Sequence, residues 1–290
     1  MRNGRLRSIL KGTLFKAEGI CQASGLKNPW LFKVELLKTL VQRELESRYK
    51  GSMLGNLWPV LTQLSQLLIY TYVFSIVLKV KLSLAGVPAS NLTYGLWLFA
   101  GLLPWFAFTN GFSQAASAVV TQPNLVKKVV FPLSLLPLVP VVAAFVESTL
   151  GWMVLVAFVA LATQTLHASL WLMPLVWMPQ LFLTAGLGYF AAGLTVFLRD
   201  IPQTIIVVLN LWFYLTPIVY PIESVPESLR SLVFWLNPLA AFAEIYRDLI
   251  LVGTIRHGGE WAVASLISVL VFWGGLWSYR KLKPGFADVL

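Results

Sequence analysis

Long apolar runs separated by short polar segments fill most of the chain beyond residue 54. Six of these runs reach the length of about 20 residues that a helix needs to cross the hydrocarbon core of a bilayer. They cover residues 58–78, 92–113, 133–162, 170–198, 201–220 and 261–279. The pattern predicts an all-α membrane protein whose transmembrane domain, residues 54–285, contains six transmembrane helices.

The segment before the first run follows a different pattern. Apolar residues recur at helical spacing between charged ones, at Leu31, Val34, Leu37, Leu40, Val41 and Leu45. This periodicity predicts an amphipathic helix over residues 30–49, which with its connector forms a segment over residues 30–53. Packing on a soluble core is the alternative, but the chain offers no such core, and this favours the membrane interface. Residues 1–29 form a basic extension.

Residues 222–251 are apolar only in short pieces. Arg230, Glu244, Arg247 and Asp248 interrupt these pieces, so none of them is long enough to span a bilayer. We expect short re-entrant helices here, on the outer side between spans five and six. An even number of spans also leaves the basic N-terminal segment and the basic stretch Arg280–Lys283 on the same side of the membrane.

Composition and charge agree with a membrane protein and indicate its orientation. Charged residues make up 12% of the chain, whereas an ordinary soluble domain carries about 25%. The net charge of +10 is concentrated near the N-terminus, where residues 1–53 hold eleven Lys or Arg and four Glu. Basic residues beside a first span indicate the cytoplasmic side, near anionic lipid. Both termini are therefore expected in the cytoplasm, and the charge does not indicate nucleic acid binding.

Sequence motifs for enzymatic chemistry are absent. The chain has no G-x-x-x-x-G-K-[ST] motif to hold a nucleotide, and His167 and His257 lie far from Cys21, so we expect no metal site. A membrane-embedded enzyme would need several ionisable residues at one depth, and only Glu147 lies deep in a predicted span. This favours transport over conversion. Glu147 itself fits either a substrate path or a hydrogen-bonded role in packing.

Two of the predicted spans carry polar and aromatic side chains along one helical face. These are Gln63, Gln66, Tyr70 and Phe74 in span one, and Gln203, Asn210, Tyr214 and Pro217 in span five. Amides exchange hydrogen bonds with hydroxyl groups, and aromatic faces stack on the C–H surfaces of sugars, so both stripes suit the passage of sugar. Hydrogen bonding and packing between helices is the alternative, and periodicity alone favours it.

The loop between spans two and three reads T-Q-P-N-L-V-K-K-V-V-F-P over residues 121–132. Pro123 and Pro132 bracket a short stretch that can form a helix, with Asn124 as a candidate N-cap. This stretch presents Lys127 and Lys128 to the cytoplasm. A plain basic loop on the inner side of the membrane is the alternative.

Five short segments, taken in order, resemble one family of membrane proteins. They read R-E-L-E-S-R-Y-K-G-S-M-L-G-N-L-W-P (43–59), P-N-L-V-K-K-V-V-F-P-L-S-L-L-P (123–137), F-L-R-D-I-P-Q (197–203), L-T-P-I-V-Y-P (215–221) and L-N-P-L (236–239). They are similar to the type 2 ABC exporter permeases for lipid-linked polysaccharide, in the branch serving O-antigen, capsule and teichoic acid, and most like the O-antigen permeases. The resemblance covers roughly residues 30–285, and the basic extension departs from the family pattern.

The resemblance implies a set of partners. Permeases of this family are homodimers that pair with two ATP-binding cassette subunits. ATP and Mg would be bound by those separate subunits, and the present chain would hold no cofactor. The cargo would be a polysaccharide on a lipid carrier, most often undecaprenyl diphosphate, exported across the bacterial inner membrane. The chain itself would catalyse no bond change.

The resemblance also implies roles for particular residues. The substrate channel would be lined by Gln63, Gln66, Tyr70, Phe74, Glu147, Gln203, Asn210 and Tyr214. The lipid diphosphate would enter beside Arg48, Lys50 and Arg199. Coupling to the ATPase would fall to a helix made of Asn124, Leu125, Val126, Lys127 and Lys128.

Three other functions compete with this interpretation. A multispanning enzyme of lipid-linked sugar assembly would need converging acidic residues on the inner loops, where only Asp200 lies close to a span. A permease of the same fold class could export a drug or a small lipid instead. A passive channel would not need the short helix over residues 124–128.

Overall fold

The computed structural model describes residues 29–79, 91–128, 131–164 and 167–290, and all the regular structure in these ranges is helical. Residues 1–28, nearly all of the predicted basic extension, lie outside the described residues. The all-α prediction is therefore confirmed for the part of the chain that the structure describes.

Long helices alternate with short ones along the described chain. The α-helices are α1 (Pro29–Tyr49), α2 (Trp58–Tyr70), α3 (Asn91–Ser117), α4 (Pro123–Lys128), α5 (Leu135–Thr163), α6 (Met173–Phe197), α7 (Ile201–Leu215), α8 (Glu227–Leu236), α9 (Pro238–Arg247), α10 (Gly258–Leu282) and α11 (Phe286–Val289). Single π-helical segments continue α2 (Thr71–Val77) and α9 (Asp248–Val252). Short 3-10 helices cover Gly55–Leu57, Ala168–Leu172, Ile222–Ser224 and Lys283–Gly285.

Four helical stretches in the described ranges are long and apolar enough to cross a membrane, judged by length and composition. They are Trp58–Val77, Leu135–Ala162, Ala168–Phe197 and Gly258–Val289. The remaining two predicted spans correspond to α3 and α7. Helix α7 is shorter than predicted, because Thr216 is extended before Pro217, a residue that disfavours the helical conformation of its predecessor.

Helix α3 lies at the centre of the bundle. It packs against α2, α5, α6, α7 and α9. Its middle is closed on all sides, and the side chains of Leu98, Phe99, Ala100 and Phe108 have no exposed surface. A helix buried all round belongs to the interior of a bundle. The helices around it carry large exposed apolar residues, such as Leu68 on α2, Leu211 on α7 and Leu270 on α10, as expected of surfaces that face lipid or a second chain.

Helix α1 rests on the side of α5. A small apolar cluster joins Leu37, Leu40 and Val41 to Val139 and Ala143 of α5. Among the α1 side chains that the structure describes, only that of Val41 is buried. The helix predicted from periodicity is present, with one face packed on the protein.

The region predicted to be re-entrant forms two short helices of opposite character. Helix α8 is largely exposed, with Leu232, Trp235 and Leu236 on the surface. Every residue of α9 is buried, and α9 packs against α3 and α10. Asn237 between them caps α9 by accepting a hydrogen bond from the backbone N–H of Leu239. This stretch therefore contributes a core helix to the bundle rather than only a surface hairpin.

Candidate functional site

The end of α1 is joined to α5 by an ion pair. The Arg48 Nη1 atom donates to Oε2 of Glu147 at 2.7 Å, and the Tyr49 hydroxyl donates to the other carboxylate oxygen, Oε1, at 3.0 Å. Arg48 Nη2 also donates to Gln114 of α3 and approaches Glu44 at 3.5 Å. Glu147 lies about 18 Å along the α5 axis from Leu135, at a rise of about 1.5 Å per residue. Two consecutive residues of α1 thus bind one carboxylate within α5.

The electrostatics of this cluster keep its tyrosine protonated. Burial raises the pKa of Tyr49 to about 12, the Glu147 carboxylate adds to the rise, and the Arg48 guanidinium opposes it. At neutral pH the phenol therefore remains a hydrogen-bond donor to Glu147. Both members of the ion pair are partly exposed, with 19% of the Arg48 side chain and 17% of the Glu147 side chain accessible.

A polar cleft of about 130 Å³ lies beside Glu147, between α2, α3 and α5. Its polar lining comes from side chains on all three helices and from Tyr49, namely Thr62, Gln63, Asn110, Glu147 and Ser148. The Oε1 atom of Gln63 is buried without a hydrogen-bond partner among the described residues. The structure therefore brings together Glu147 and Gln63, two of the predicted channel residues, in one cleft.

The predicted stripe on span one faces the centre of the bundle. Gln63, Gln66, Tyr70 and Phe74 are all half-buried. The Phe74 ring lies 5.6 Å from that of Tyr94 on α3, and the Tyr70 ring lies 6.5 Å from that of Phe74. In a single chain Phe74 packs against α3, and Gln63 lies beside Gly151 of α5. Its role in a channel stays a prediction.

Three of the four residues in the predicted stripe on span five face away from the bundle, whereas Pro217 is buried and accepts a hydrogen bond from Arg247. Gln203, Asn210 and Tyr214 of α7 are exposed, Tyr214 to 73%. The opposite face of α7 holds it to α3, where Phe213 contacts Trp105 at 5.5 Å and Trp212 contacts Phe108 at 5.5 Å. The first stripe is thus directed towards α3 and the second away from it. An open, polar and aromatic face is available on α7 for a partner or a substrate.

The short helix α4, in the loop between α3 and α5, has one polar face and one packed face. Asn124 and Lys127 are exposed, while Leu125 and Val126 are half-buried and pack on an apolar cluster that includes Leu133 and the fully buried Phe286. Helix α4 begins at Pro123, so Asn124 lies in its first turn rather than at an N-cap. The side chain of Lys128 lies outside the described part. Helix α11 also packs against α4, through the same cluster.

The three residues predicted to meet the lipid diphosphate occupy different surroundings. Arg48 is paired with Glu147, whereas Lys50 is exposed immediately after α1. Arg199 lies exposed at the end of α6 and lines a separate cavity of about 360 Å³, together with Pro123 at the start of α4. Their common role stays a prediction. In the ranges that the structure describes, no group of three or more metal-binding side chains occurs.

A second ion pair, which sequence reasoning missed, lies inside the bundle. Arg247 donates to Glu244 at 2.6 Å, with 3% and 8% of their side chains exposed. Arg247 also donates to the backbone carbonyls of Pro217 and Ile218, and its guanidinium stacks on Trp97 at 3.6 Å. The spacing of three residues on one helix was the available signal, but the sequence indicated only that the two charges interrupt short re-entrant helices.

A chain of buried hydrogen bonds joins three helices near this pair. The Tyr246 hydroxyl of α9 donates to Gln180 Oε1 of α6 at 3.1 Å. Gln180 Nε2 in turn donates to the Pro104 carbonyl of α3 at 2.7 Å. Buried polar groups that are bonded in this way fix the relative positions of helices. The contacts of Arg247 and Gln180 therefore support the bundle rather than line a path through it.

The chain is similar in sequence to known export permeases. Residues 35–251, from α1 to the π-helical segment after α9, match the sequence family described as ABC-2 type transporter. The O-antigen export system permease protein RfbA of Klebsiella pneumoniae is 31% identical over 88% of this chain and 95% of the relative. A protein of the same name from Myxococcus xanthus is 30% identical over 87% and 94%. The polysialic acid transport protein KpsM of Escherichia coli is 22% identical over 84% and 92%. These matches confirm the resemblance found in the five sequence motifs.

Proposed function

The chain belongs to the ABC-2 type transporter family, and we propose that it is the membrane permease of an ATP-driven exporter for lipid-linked polysaccharide of the O-antigen type. The observation that carries the proposal is the identity of 31% to an O-antigen export permease over nearly the full length of both chains. A capsule exporter is the second candidate, favoured by the lower identity of 22% to a polysialic acid transport protein.

Family membership fixes the division of labour in the transporter. The chain is a multi-pass membrane protein and a transport component rather than an enzyme, and ATP is hydrolysed on a separate subunit. This agrees with the absence of a phosphate-binding G-x-x-x-x-G-K-[ST] motif from the sequence. The proposal adds two copies of the ATP-binding subunit, with ATP and Mg held there.

The proposed topology has six spans and places both termini in the cytoplasm. The spans would be α2 with its π-helical continuation, α3, α5, α6, α7 and α10. Three observations support this assignment: four of these stretches are long and apolar, α3 is buried at the centre of the bundle, and α7 is a shorter apolar helix. Helix α4 then lies on the cytoplasmic side, and α8 and α9 lie towards the outer side as re-entrant helices.

The proposed channel forms between two copies of the chain. The exposed α7 face with Asn210 and Tyr214 supports this arrangement, because amide and aromatic groups at a surface suit a polymer of hydroxyl-rich sugars. A homodimer would bring the α7 faces of two protomers towards a common path. Movement from the ATPase would reach the spans through α4, whose polar face with Asn124 and Lys127 is exposed.

Purification from the native membrane tests the proposal. A tagged chain extracted in mild detergent is expected to carry an ATP-binding cassette subunit in equal amount, together with ATPase activity. Replacement of residues 124–128 by a Gly/Ser linker should abolish that association. Replacement of the exposed residues Thr254 and Ile255 by Gly/Ser is the matched control and should leave the association intact.

Deletion of the chain then identifies the cargo. Lipid-linked glycan is expected to accumulate on the cytoplasmic side, and its composition separates O-antigen from capsule. Isolation of the chain alone or with glycosyltransferases, without ATPase activity, would contradict the exporter and favour a membrane enzyme.

A further inference from the structure

Helix α1 is held to the bundle by an apolar cluster and by polar contacts at its C-terminal end. In the cluster with Val139 and Ala143, Val41 is buried, and Leu37, Leu40 and Leu45 are half-buried. Beyond this cluster, the attachment of the C-terminal end of α1 consists of the Arg48 and Tyr49 hydrogen bonds to Glu147 and the bond from Arg48 to Gln114. Loss of the Glu147 contacts would therefore remove most of the polar attachment of this end and leave Leu45 and the bond to Gln114.

The connection from α1 to α2 has the properties of a hinge. Gly51 and Gly55 adopt φ values of +87° and +48°, in the left-handed region that favours glycine. No atom lies within 4 Å of the position that a Cβ atom would take at either residue. The five residues from Gly51 to Gly55 thus carry few packing constraints, so the angle between α1 and α2 can change at this connector.

Arg48 is engaged by ligands that a phosphate group can replace. A guanidinium binds carboxylate and phosphate oxygens in the same forked geometry. The Arg48 side chain retains 19% exposure, so a headgroup at the membrane surface can approach it. Lys50, two residues further on, is exposed and supplies a second positive charge. A doubly charged phosphate can therefore compete with the singly charged Glu147 carboxylate.

The cleft beside Glu147 has room for water molecules that can hydrate the carboxylate when Arg48 is no longer bound to it. Its volume of about 130 Å³ is enough for about four waters at about 30 Å³ each. Thr62, Asn110 and Ser148 line it and can bind those waters. Hydration from the cleft would lower the cost of leaving Glu147 without its cation.

We propose that the Arg48–Glu147 ion pair is a latch that an anionic phosphate headgroup opens. The headgroup takes Arg48 together with Lys50, Glu147 is hydrated from its cleft, and the C-terminal end of α1 separates from α5 about the Gly51 and Gly55 hinge. Arg48 thus acts in two states, bound to Glu147 when no headgroup is present and bound to phosphate when one is. This inference rests on the proposed function, since an exporter of lipid-linked glycan meets such headgroups as cargo.

The distance between α1 and α5 tests the latch. Spin labels are attached at Ser47→Cys, at the C-terminal end of α1, and at Met153→Cys on α5, both exposed positions, in a Cys21→Ser background of the permease–ATPase complex. The complex is reconstituted in nanodiscs of phosphatidylcholine, of phosphatidylcholine with phosphatidylglycerol, and of phosphatidylcholine with undecaprenyl diphosphate. A longer label distance with undecaprenyl diphosphate alone identifies the cargo headgroup as the opener. A longer distance with phosphatidylglycerol as well identifies membrane lipid. No change with either probe overturns the latch.

Substitutions distinguish the effect of the Arg48–Glu147 ion pair from a general effect of positive charge on α1. Arg48→Gln should weaken the response to the effective probe about tenfold or more, as expected for loss of one charge-assisted interaction. Glu147→Gln should lengthen the distance in phosphatidylcholine alone, and the exchange of Arg48→Glu with Glu147→Arg should shorten it again. Arg43→Gln removes an exposed arginine from the same helix and should leave the response unchanged. Equal behaviour of Arg43→Gln and Arg48→Gln would contradict the latch.

The outcomes distinguish the latch from the proposed function. Co-purification of an ATPase and accumulation of lipid-linked glycan, combined with a fixed α1–α5 distance in every nanodisc, would leave the exporter standing and remove the latch. A headgroup-dependent distance in a chain that binds no ATPase would keep the latch and remove the exporter.

Discussion

Gly186 and Gly275 bring the backbones of α6 and α10 into direct contact. A Cβ atom on Gly275 would overlap the carbonyl oxygen of Gly186, and one on Gly186 would lie 2.6 Å from the carbonyl oxygen of Val271. Helices in membranes gain much of their association energy from such close approach at small residues. The crossing of α6 and α10 therefore depends on the absence of two side chains.

Alanine substitutions at two neighbouring glycines, Gly274 and Gly275, should have different effects on the stability of the protein. Gly275→Ala is expected to destabilise the protein by about 1–3 kcal/mol, the usual cost of overpacking, because backbone atoms cannot yield as a side chain can. Gly274→Ala is the matched control. Its Cβ atom would meet nothing within 4 Å, and alanine gains up to about 1 kcal/mol in a helix. Thermal unfolding in detergent measures both, and equal melting temperatures would contradict the close crossing.

Loss of the buried arginine should be far more damaging than loss of an exposed one. Arg247→Met leaves Glu244 buried without its cation, which costs about 3–5 kcal/mol, and also removes the bonds to Pro217 and Ile218. The double substitution Glu244→Met with Arg247→Met should recover part of this loss. Arg256→Met, at an exposed position, serves as the control. Chemical unfolding of the purified chain checks the order of the three stabilities.

The stability of the N-terminal end of α10 should fall as pH rises through the pKa of His257. A hydrogen bond that the His257 ring donates to the Asp248 carboxylate raises the pKa of His257. The charges of Asp248, Glu244 and Glu260 also raise this pKa, and burial opposes them. Because the folded pKa exceeds the unfolded value of about 6.5, the stabilisation is complete below pH of about 6.5 and is lost above the folded pKa. Melting temperatures across this range should slope downward in the wild type. His257→Gln should flatten the slope, whereas His167→Gln should keep it.

Tyr214 should contribute to export and not to folding. Its side chain is 73% exposed on α7, so Tyr214→Ala should change the free energy of unfolding by no more than about 0.5 kcal/mol. Export of the glycan should fall while the ATPase remains bound. Tyr72→Ala, at a tyrosine 58% exposed beyond the end of α2, provides the control. A glycan export assay in cells would argue against the α7 channel face if both variants behaved as the wild type.

Helix positions followed closely from the sequence, because apolar length and turn-breaking prolines are local signals. The amphipathic segment, the long apolar helices and the short helix α4 all fall within a few residues of their predicted bounds. The end of α7 was the exception. The sequence L-T-P contains the reason, since Thr216 precedes a proline, but an apolar run that continues past it hides the break.

Pairings between distant residues did not follow from the sequence. The sequence left two roles for Glu147, on a substrate path or in hydrogen-bonded packing. Its partners in the structure are Arg48 and Tyr49, which lie 99 and 98 residues away along the chain. Glu244 and Arg247 interrupt short apolar pieces, and for that reason the sequence predicted re-entrant helices here and no pairing between the two charges. Only the packing of α9 on α3 shows that the two charges satisfy each other inside the bundle.

The burial of α3 by other helices has a consequence for the synthesis and folding of the protein. A domain emerges from the ribosome beginning at its N-terminus, and α5, α6, α7 and α9, which cover most of α3, are all synthesised after it. The last of them includes Arg247, which closes over Trp97 from 150 residues further along the chain. A nascent chain halted before α9 would hold its central helix without the neighbours that cover it, so the membrane or an insertion factor must shelter α3 until translation has passed residue 247.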